Sequence, residues 1–510
     1  MTLIKHSILI VRSKIFSFII LFTICLVICS IINAQGIYKE KYRPSVHYTP
    51  AQHWINDPNG LVYFAGEYHL FYQYNPFANV WGHMTWGHAV SQDLVHWKEL
   101  PPAISEEGEV MIFSGSAVID ENNSSGFATR KGEVPMVAIY TGHIEKKSQS
   151  QHIAYSLDKG RSWTKYKGNP VLDLGTKEFR DPKVFWYAPE KKWVMAVVLP
   201  IDKKVLFYSS KNLKEWAMMS SFGPAGDTTG IWECPDLFKV PIDGSPGKFK
   251  WVLMHSPAPY MQYFVGEFDG TTFVNENPSS IIYRPDYGPD YYAAIVYNGL
   301  PAASPPISIG WVNNWEYARD IPVSPWNGAM SLPRELRVKK SDSGWLLLQQ
   351  PVKNFSRQYF GEKSWSNIST KEKWSLAESA RGSYAAEITL HRHQKNRFDI
   401  GLAGGALVLT YDDALSTITL KRQGNSAFQN EKFLRLSNYS ARLRLNSETL
   451  TIKILFDQSI AEIYVNGGEA VMTAQVFPEK ENQPLTLRSD NGDKVPSIKF
   501  WQLKSIWNEK

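Results

Sequence analysis

Ser91-Gln92-Asp93-Leu94-Val95-His96-Trp97 is the stretch from which the fold can be read. It is a Ser, a turn, and an aromatic that opens the next strand. The pattern returns in Ser156-Leu157-Asp158-Lys159-Gly160-Arg161-Ser162-Trp163 and in Ser210-Lys211-Asn212-Leu213-Lys214-Glu215-Trp216. Phe268-Asp269-Gly270-Thr271-Thr272-Phe273 is a looser fourth copy. The closing aromatics stand at 97, 163, 216 and 273, so they are 66, 53 and 57 residues apart. One copy is ordinary hairpin chemistry, because Ser and Asp side chains satisfy backbone N–H groups in tight turns. Several copies at one spacing, each with room for several strands, predict propeller blades, small antiparallel sheets around an axis. About 300 residues at that period give five or six blades.

The sequence around the repeat agrees. Residues 61–64 and 68–72 are apolar runs joined by Ala65-Gly66-Glu67, a hairpin pattern. No amphipathic helix pattern stands out in the first 340 residues, so the class is all-β. Near Val338 the texture changes to the polar run Lys339-Lys340-Ser341-Asp342-Ser343-Gly344. Thirteen of the 18 Trp precede residue 340, so the chain divides there. From about 380 the strands lengthen and alternate. Residues 460–465, Asn466-Gly467 and 469–473 read as a hairpin with a type I′ turn. Roughly 150 residues of this kind suit a β-sandwich. The expected domains are a propeller over 40–340 and a sandwich over 350–510.

Composition narrows the function. With 43% apolar and 20% charged residues, the 510-residue chain is globular rather than disordered. A net charge of +6 with no long Lys/Arg block argues against a nucleic-acid partner. Residues 1–34 carry Lys5, Arg12 and Lys14, no acid, an apolar run over 15–32, and then Asn33-Ala34. That is a secretory signal peptide with a cut after Ala34, and it predicts a secreted or periplasmic protein. A membrane would be a partner only if this segment were retained as an anchor or lipidated at Cys29. Cys25 and Cys29 leave with the signal, so Cys234 is the one mature thiol. Neither an internal disulfide nor a cysteine-based zinc site is then possible.

Three carboxylates sit in unusual settings. Asp57 lies in Trp54-Ile55-Asn56-Asp57-Pro58-Asn59-Gly60, Asp181 in Glu178-Phe179-Arg180-Asp181-Pro182, and Glu233 in Trp232-Glu233-Cys234-Pro235. Each alone reads as a turn residue or a buried ion pair. Each also falls on or before the first strand of an expected blade, and first strands line a propeller's axis. Paired carboxyl groups of separated pKa are what glycosidic cleavage needs. Glu233, between Trp and Cys, has an apolar setting that should raise its pKa. Trp and Tyr nearby offer sugar rings an apolar face. Other chemistries lack their motifs. There is no Gly-x-Ser-x-Gly elbow, no phosphate loop and no His-Glu-x-x-His helix.

These motifs resemble glycoside hydrolase family 32, the β-fructosidases, and the resemblance spans roughly residues 40–510. It implies a five-bladed propeller followed by a sandwich. It makes Asp57 the nucleophile, Asp181 the ionised transition-state stabiliser and Glu233 the acid/base. Phe113-Ser114-Gly115-Ser116-Ala117, Gln73 in Phe71-Tyr72-Gln73-Tyr74, and Trp81 in Trp81-Gly82-His83-Met84 match pocket segments of the family. Trp315, in Trp311-Val312-Asn313-Asn314-Trp315, matches an aromatic near the site. With Trp54, Asn56 and Arg180 they make the expected substrate-binding set. The implied reaction is retaining hydrolysis of terminal β-fructofuranosyl units from fructans and sucrose, with no cofactor and no metal. An invertase acting mainly on sucrose, a fructosyltransferase and a non-catalytic sugar-binding propeller stand as alternatives.

Overall fold

The computed structural model describes residues 38–507, apart from 378, 380–381, 393–395, 424–425, 445–446 and 481–483. The signal segment over 1–34, with Cys25 and Cys29, lies outside the described residues. Five sheets form a propeller. The inner strands are His53–Phe64 in blade I, Val110–Ile119 in blade II, Arg180–Tyr187 in blade III, Trp232–Pro241 in blade IV and Tyr292–Val296 in blade V. They pack on one another in a closed cycle from I to V and back to I. A two-residue strand, Trp326–Asn327, pairs in parallel with His53 and Trp54 and ties the end of the ring to its beginning.

The repeated Ser-turn-aromatic segment joins the third strand of a blade to its fourth. In blade I, Ser91 Oγ accepts from the Leu94 N–H at 2.8 Å, and Asp93 Oδ1 accepts from the Val95 and His96 N–H groups at 2.9 and 2.8 Å. Ser156 with Asp158, and Ser210 with Asn212, repeat this arrangement in blades II and III. In blade IV, Asp269 alone caps the turn. Blade V holds a fifth copy. Ser341 ends its third strand, Arg334–Ser341, and Trp345 lies in its fourth, Gly344–Pro351. The polar run 339–344, which suggested a division between domains, is therefore the turn of the last blade, and that blade ends at Pro351.

Two six-stranded sheets follow as a sandwich. One includes Tyr384–His391 and Thr449–Asp457, the other Arg397–Leu402 and Leu407–Asp412. Alternate residues such as Ile388, Leu390, Ile400, Leu409, Ile452 and Ile454 meet in one apolar core. The hairpin of Ile460–Val465 with Ala470–Gln475 forms, but its loop has four residues rather than the two of a type I′ turn. Asn466, Gly467 and Gly468 all have positive φ. A Cβ on Gly468 would overlap the Gln349 carbonyl of blade V, so the extra length seats this loop against the propeller.

Charged groups fill the joint between the two units. His47, ahead of blade I, bonds Asp457 Oδ2 at 2.8 Å and Glu462 Oε1 at 3.2 Å. Arg334 of blade V donates to Glu462 Oε2 and Asp286 Oδ2, both at 3.0 Å. All five side chains are buried. Burial alone would lower the pKa of His47, but the two carboxylates outweigh it and raise it to about 9. Burial alone would raise Glu462, but Arg334 and His47 hold it at about 2.

Candidate active site

Every inner strand carries a β-bulge at the same depth. Two residues of the inner strand face one residue of its neighbour: Asn56-Asp57 face Gln73, Phe113-Ser114 face Thr141, and Asp181-Pro182 face Val197. Cys234-Pro235 face His255, and Ala293-Ala294 face Gly310. A bulge breaks the alternation of a strand and re-aims side chains. Three of the bulges hold a non-glycine residue in the left-handed region, Asp181 at φ 64°, Cys234 at 49° and Ala293 at 53°. Such backbone costs of order 1–3 kcal/mol and collects where function demands it. Here the five bulges turn side chains of consecutive blades toward one end of the axis.

The three carboxylates meet there. Ser114 Oγ donates to Asp57 Oδ2 at 2.6 Å, and the Cys234 thiol lies 3.6 Å from the same oxygen. Asp57 Oδ1 has no hydrogen-bond partner among the described residues. The Cys234 N–H donates to Asp181 Oδ2 at 2.9 Å. Glu233 is held at both oxygens, by Arg180 Nη2 at 3.0 Å on Oε1 and by the Tyr292 hydroxyl at 2.6 Å on Oε2. Arg180 also pairs with Glu178 and donates to Gln149 Oε1 at 3.2 Å.

The electrostatics follow from this crowding. Burial, then the Glu233 charge, push Asp57 up to about 6. Burial also raises Asp181, and the attraction of Arg180 does not cancel it, because the charges of Glu233 and Asp57 add to the rise. The expected apolar setting of Glu233 is corrected. Trp232 and Cys234 are its neighbours in sequence, but its carboxylate is held by Arg180 and Tyr292, and the bulge turns the Cys234 thiol toward Asp57.

A pocket of ≈ 410 Å³ opens over these groups. Asn56, Gln73, Trp81, Phe113, Ser114, Arg180 and Trp315 line it, as do all three carboxylates. Trp54 does not. It is fully buried behind the wall, where its Nε1–H donates to Asn56 Oδ1 at 2.8 Å and its ring stacks on Trp315. Its place is support, not contact with a ligand. Sequence reasoning missed Tyr292, His143, Gln149, Ile201, Ile231 and Arg319. His143 stacks on Phe113 at 4.2 Å between ring centroids, and burial, then the Arg180 charge, lower its pKa.

Comparison with known proteins settles the family. Residues 47–351 match the N-terminal domain of glycosyl hydrolases family 32, and residues 355–502 match the C-terminal domain of the same family. The chain belongs to glycosyl hydrolase family 32. It is similar to the levanase of Bacillus subtilis, with 43% identity over 97% of this chain and 76% of that one. An extracellular exo-inulinase of Aspergillus niger is 37% identical over 92% of this chain and 96% of its own. Invertase 1 of Saccharomyces cerevisiae is 36% identical over 93% and 97%. Among solved structures, the exo-inulinase of Aspergillus awamori superposes with a TM-score of 0.85 at 35% identity, covering 92% of this chain and 100% of that one. As a family 32 member the protein is a glycoside hydrolase. Glycosidases need carboxyl groups flanking the scissile bond, and the pocket holds three.

Proposed function

We propose that the protein is a secreted, exo-acting, retaining β-fructosidase. It releases terminal β-fructofuranosyl units from levan or inulin, and fructose from sucrose. One observation carries this reading: Asp57, Asp181 and Glu233, from three different blades, converge on one pocket in two different states of anchorage. Among the described residues Asp57 makes no ion pair and accepts from Ser114, whereas Glu233 is held at both oxygens by Arg180 and Tyr292. A carboxylate without a cationic partner suits a nucleophile, and an oriented carboxyl suits an acid.

The steps follow. The Asp57 carboxylate bonds to the anomeric carbon as the bond to the leaving oxygen breaks, and Glu233 gives that oxygen its proton. Water then passes a proton to Glu233 and attacks the anomeric carbon, and Asp57 leaves with its electron pair. Positive charge that develops on the sugar ring lies beside Asp57 and Asp181. Arg180, held charged by Glu233 and Asp181, keeps Glu233 in position and offers donors to sugar hydroxyls. Below the pocket, Lys183 Nζ pairs with Asp236 Oδ2 at 2.9 Å in the axis.

For export, the reading rests on the signal pattern of 1–34 and on the relative named extracellular. Among the described residues no helix is long and apolar enough to cross a membrane. Product analysis on sucrose, inulin and levan tests the function. Fructose alone from both polymers supports it. Oligosaccharides would mean endo-cleavage, activity confined to sucrose an invertase, and no release from any of the three would end the proposal.

A further inference from the structure

The pocket has two unlike walls. Trp81, Phe113 and Trp315 form an aromatic side, whereas Ile201 and Ile231 stand at the lip on the side of Glu233. Both isoleucines are exposed, Ile201 at 60% and Ile231 at 37%. Ile201 lies at the tip of the hairpin that joins Lys192–Leu199 to Lys204–Ser210 in blade III. Tips of this kind are normally Gly, Asn, Asp, Ser or Pro, so an outward isoleucine there has no turn chemistry to explain it. Neither residue is loosely placed. The Trp232 N–H donates to the Pro200 carbonyl at 3.3 Å, which fastens this tip to blade IV, and the Ala258 N–H donates to the Ile231 carbonyl at 3.1 Å.

The chemistry says what passes over them. A general acid must reach the leaving oxygen within hydrogen-bond distance. The leaving sugar therefore emerges on the side of Glu233, and Ile231 is two residues from it. Sugar rings have an apolar C–H face, and Arg319, which also lines the pocket, supplies donors for a hydroxyl edge. Resting on the function proposed above, we infer that Ile201 and Ile231 form an apolar platform for the leaving group. Ile231 meets its first unit, and Ile201 meets the units beyond. Ile201 is then a specificity determinant that favours fructan chains over sucrose, whose leaving glucose is too short to reach it.

The test compares KM for sucrose, inulin and levan in the full chain and in its Ile201→Ser and Ile231→Ser variants. Loss of an apolar contact at this lip should raise KM for both polymers about five- to ten-fold in Ile201→Ser, and KM for sucrose less than about two-fold. Ile231→Ser should raise KM for all three. Ile201→Ala, which keeps the fold under milder change, should fall between the wild type and Ile201→Ser. An equal effect of Ile201→Ser on sucrose and polymers, or no effect on any, overturns the platform while leaving the β-fructosidase reading intact. A wild-type chain inactive on all three overturns both, and that is seen before any variant is compared.

Discussion

Burial and the Glu233 charge push Asp57 up to about 6, and both stability and rate depend on that value. The folded pKa exceeds the unfolded value of 3.8, so the stability tied to this group is present at low pH and lost as pH rises through about 6. Asp57→Asn removes the burden. At pH 7 it should stabilise the fold by up to about 3 kcal/mol, measured by urea unfolding, while turnover falls at least about 10³-fold. An Asp57→Asn protein with near-native fructose release would sink the nucleophile assignment. The same titration gives kcat/KM an acid limb near pH 6, because protonated Asp57 cannot attack. A flat profile from pH 4.5 to 7 would speak against it. Tyr292→Phe removes the 2.6 Å bond to Glu233, and it should lower kcat about ten-fold with little change in KM. Asp57 was legible in sequence because an Asp between Asn and Pro, ahead of an apolar hairpin, is unusual chemistry. Tyr292 was not. It follows another tyrosine, Tyr291, and only the fold shows which of the two rings points at Glu233.

The bulges and turns were unequally legible, for a physical reason. A turn is local, and its Ser and Asp caps are written within a few residues, so four blades could be read from four copies. The fifth, Ser341-Asp342-Ser343-Gly344-Trp345, is shorter and sits among lysines, and it read as a change of texture. A bulge is a mismatch between two strands, invisible until its partner strand is known. The bulge in blade II depends on Gly115, where a Cβ would overlap the Ile139 carbonyl of the next strand. Gly115→Ala should therefore force the inner strand outward and destabilise the protein by about 1–3 kcal/mol. It should also carry Ser114 away from Asp57, with a matching loss of kcat. Thermal melting and steady-state rates on one preparation check both. Loss of stability without loss of rate would separate the strand from the site.

Over the whole molecule, the buried charges between propeller and sandwich act as a joint with its own pH range. The folded pKa of His47, about 9, lies above its ordinary 6.5. Its contribution is full below 6.5 and is lost as pH rises through 9. Glu462 works the other way, and its contribution is lost as pH falls from 4.5 through about 2. The wild type should lose up to about 3 kcal/mol between pH 6.5 and 9.5, and His47→Gln should flatten that slope while lowering stability at pH 6. Urea titrations at the two pH values decide it, and an unchanged slope in the variant would remove His47 from the account. The parallel pairing of Trp326–Asn327 with the strand of Asp57 has a consequence in time. Asp57 leaves the ribosome early, but the residues that close its ring come 326 − 57 = 269 positions later. At about 5–20 residues per second, a nascent chain holds its nucleophile for roughly 15–50 s before a pocket exists around it. Each molecule is silent while it is being made.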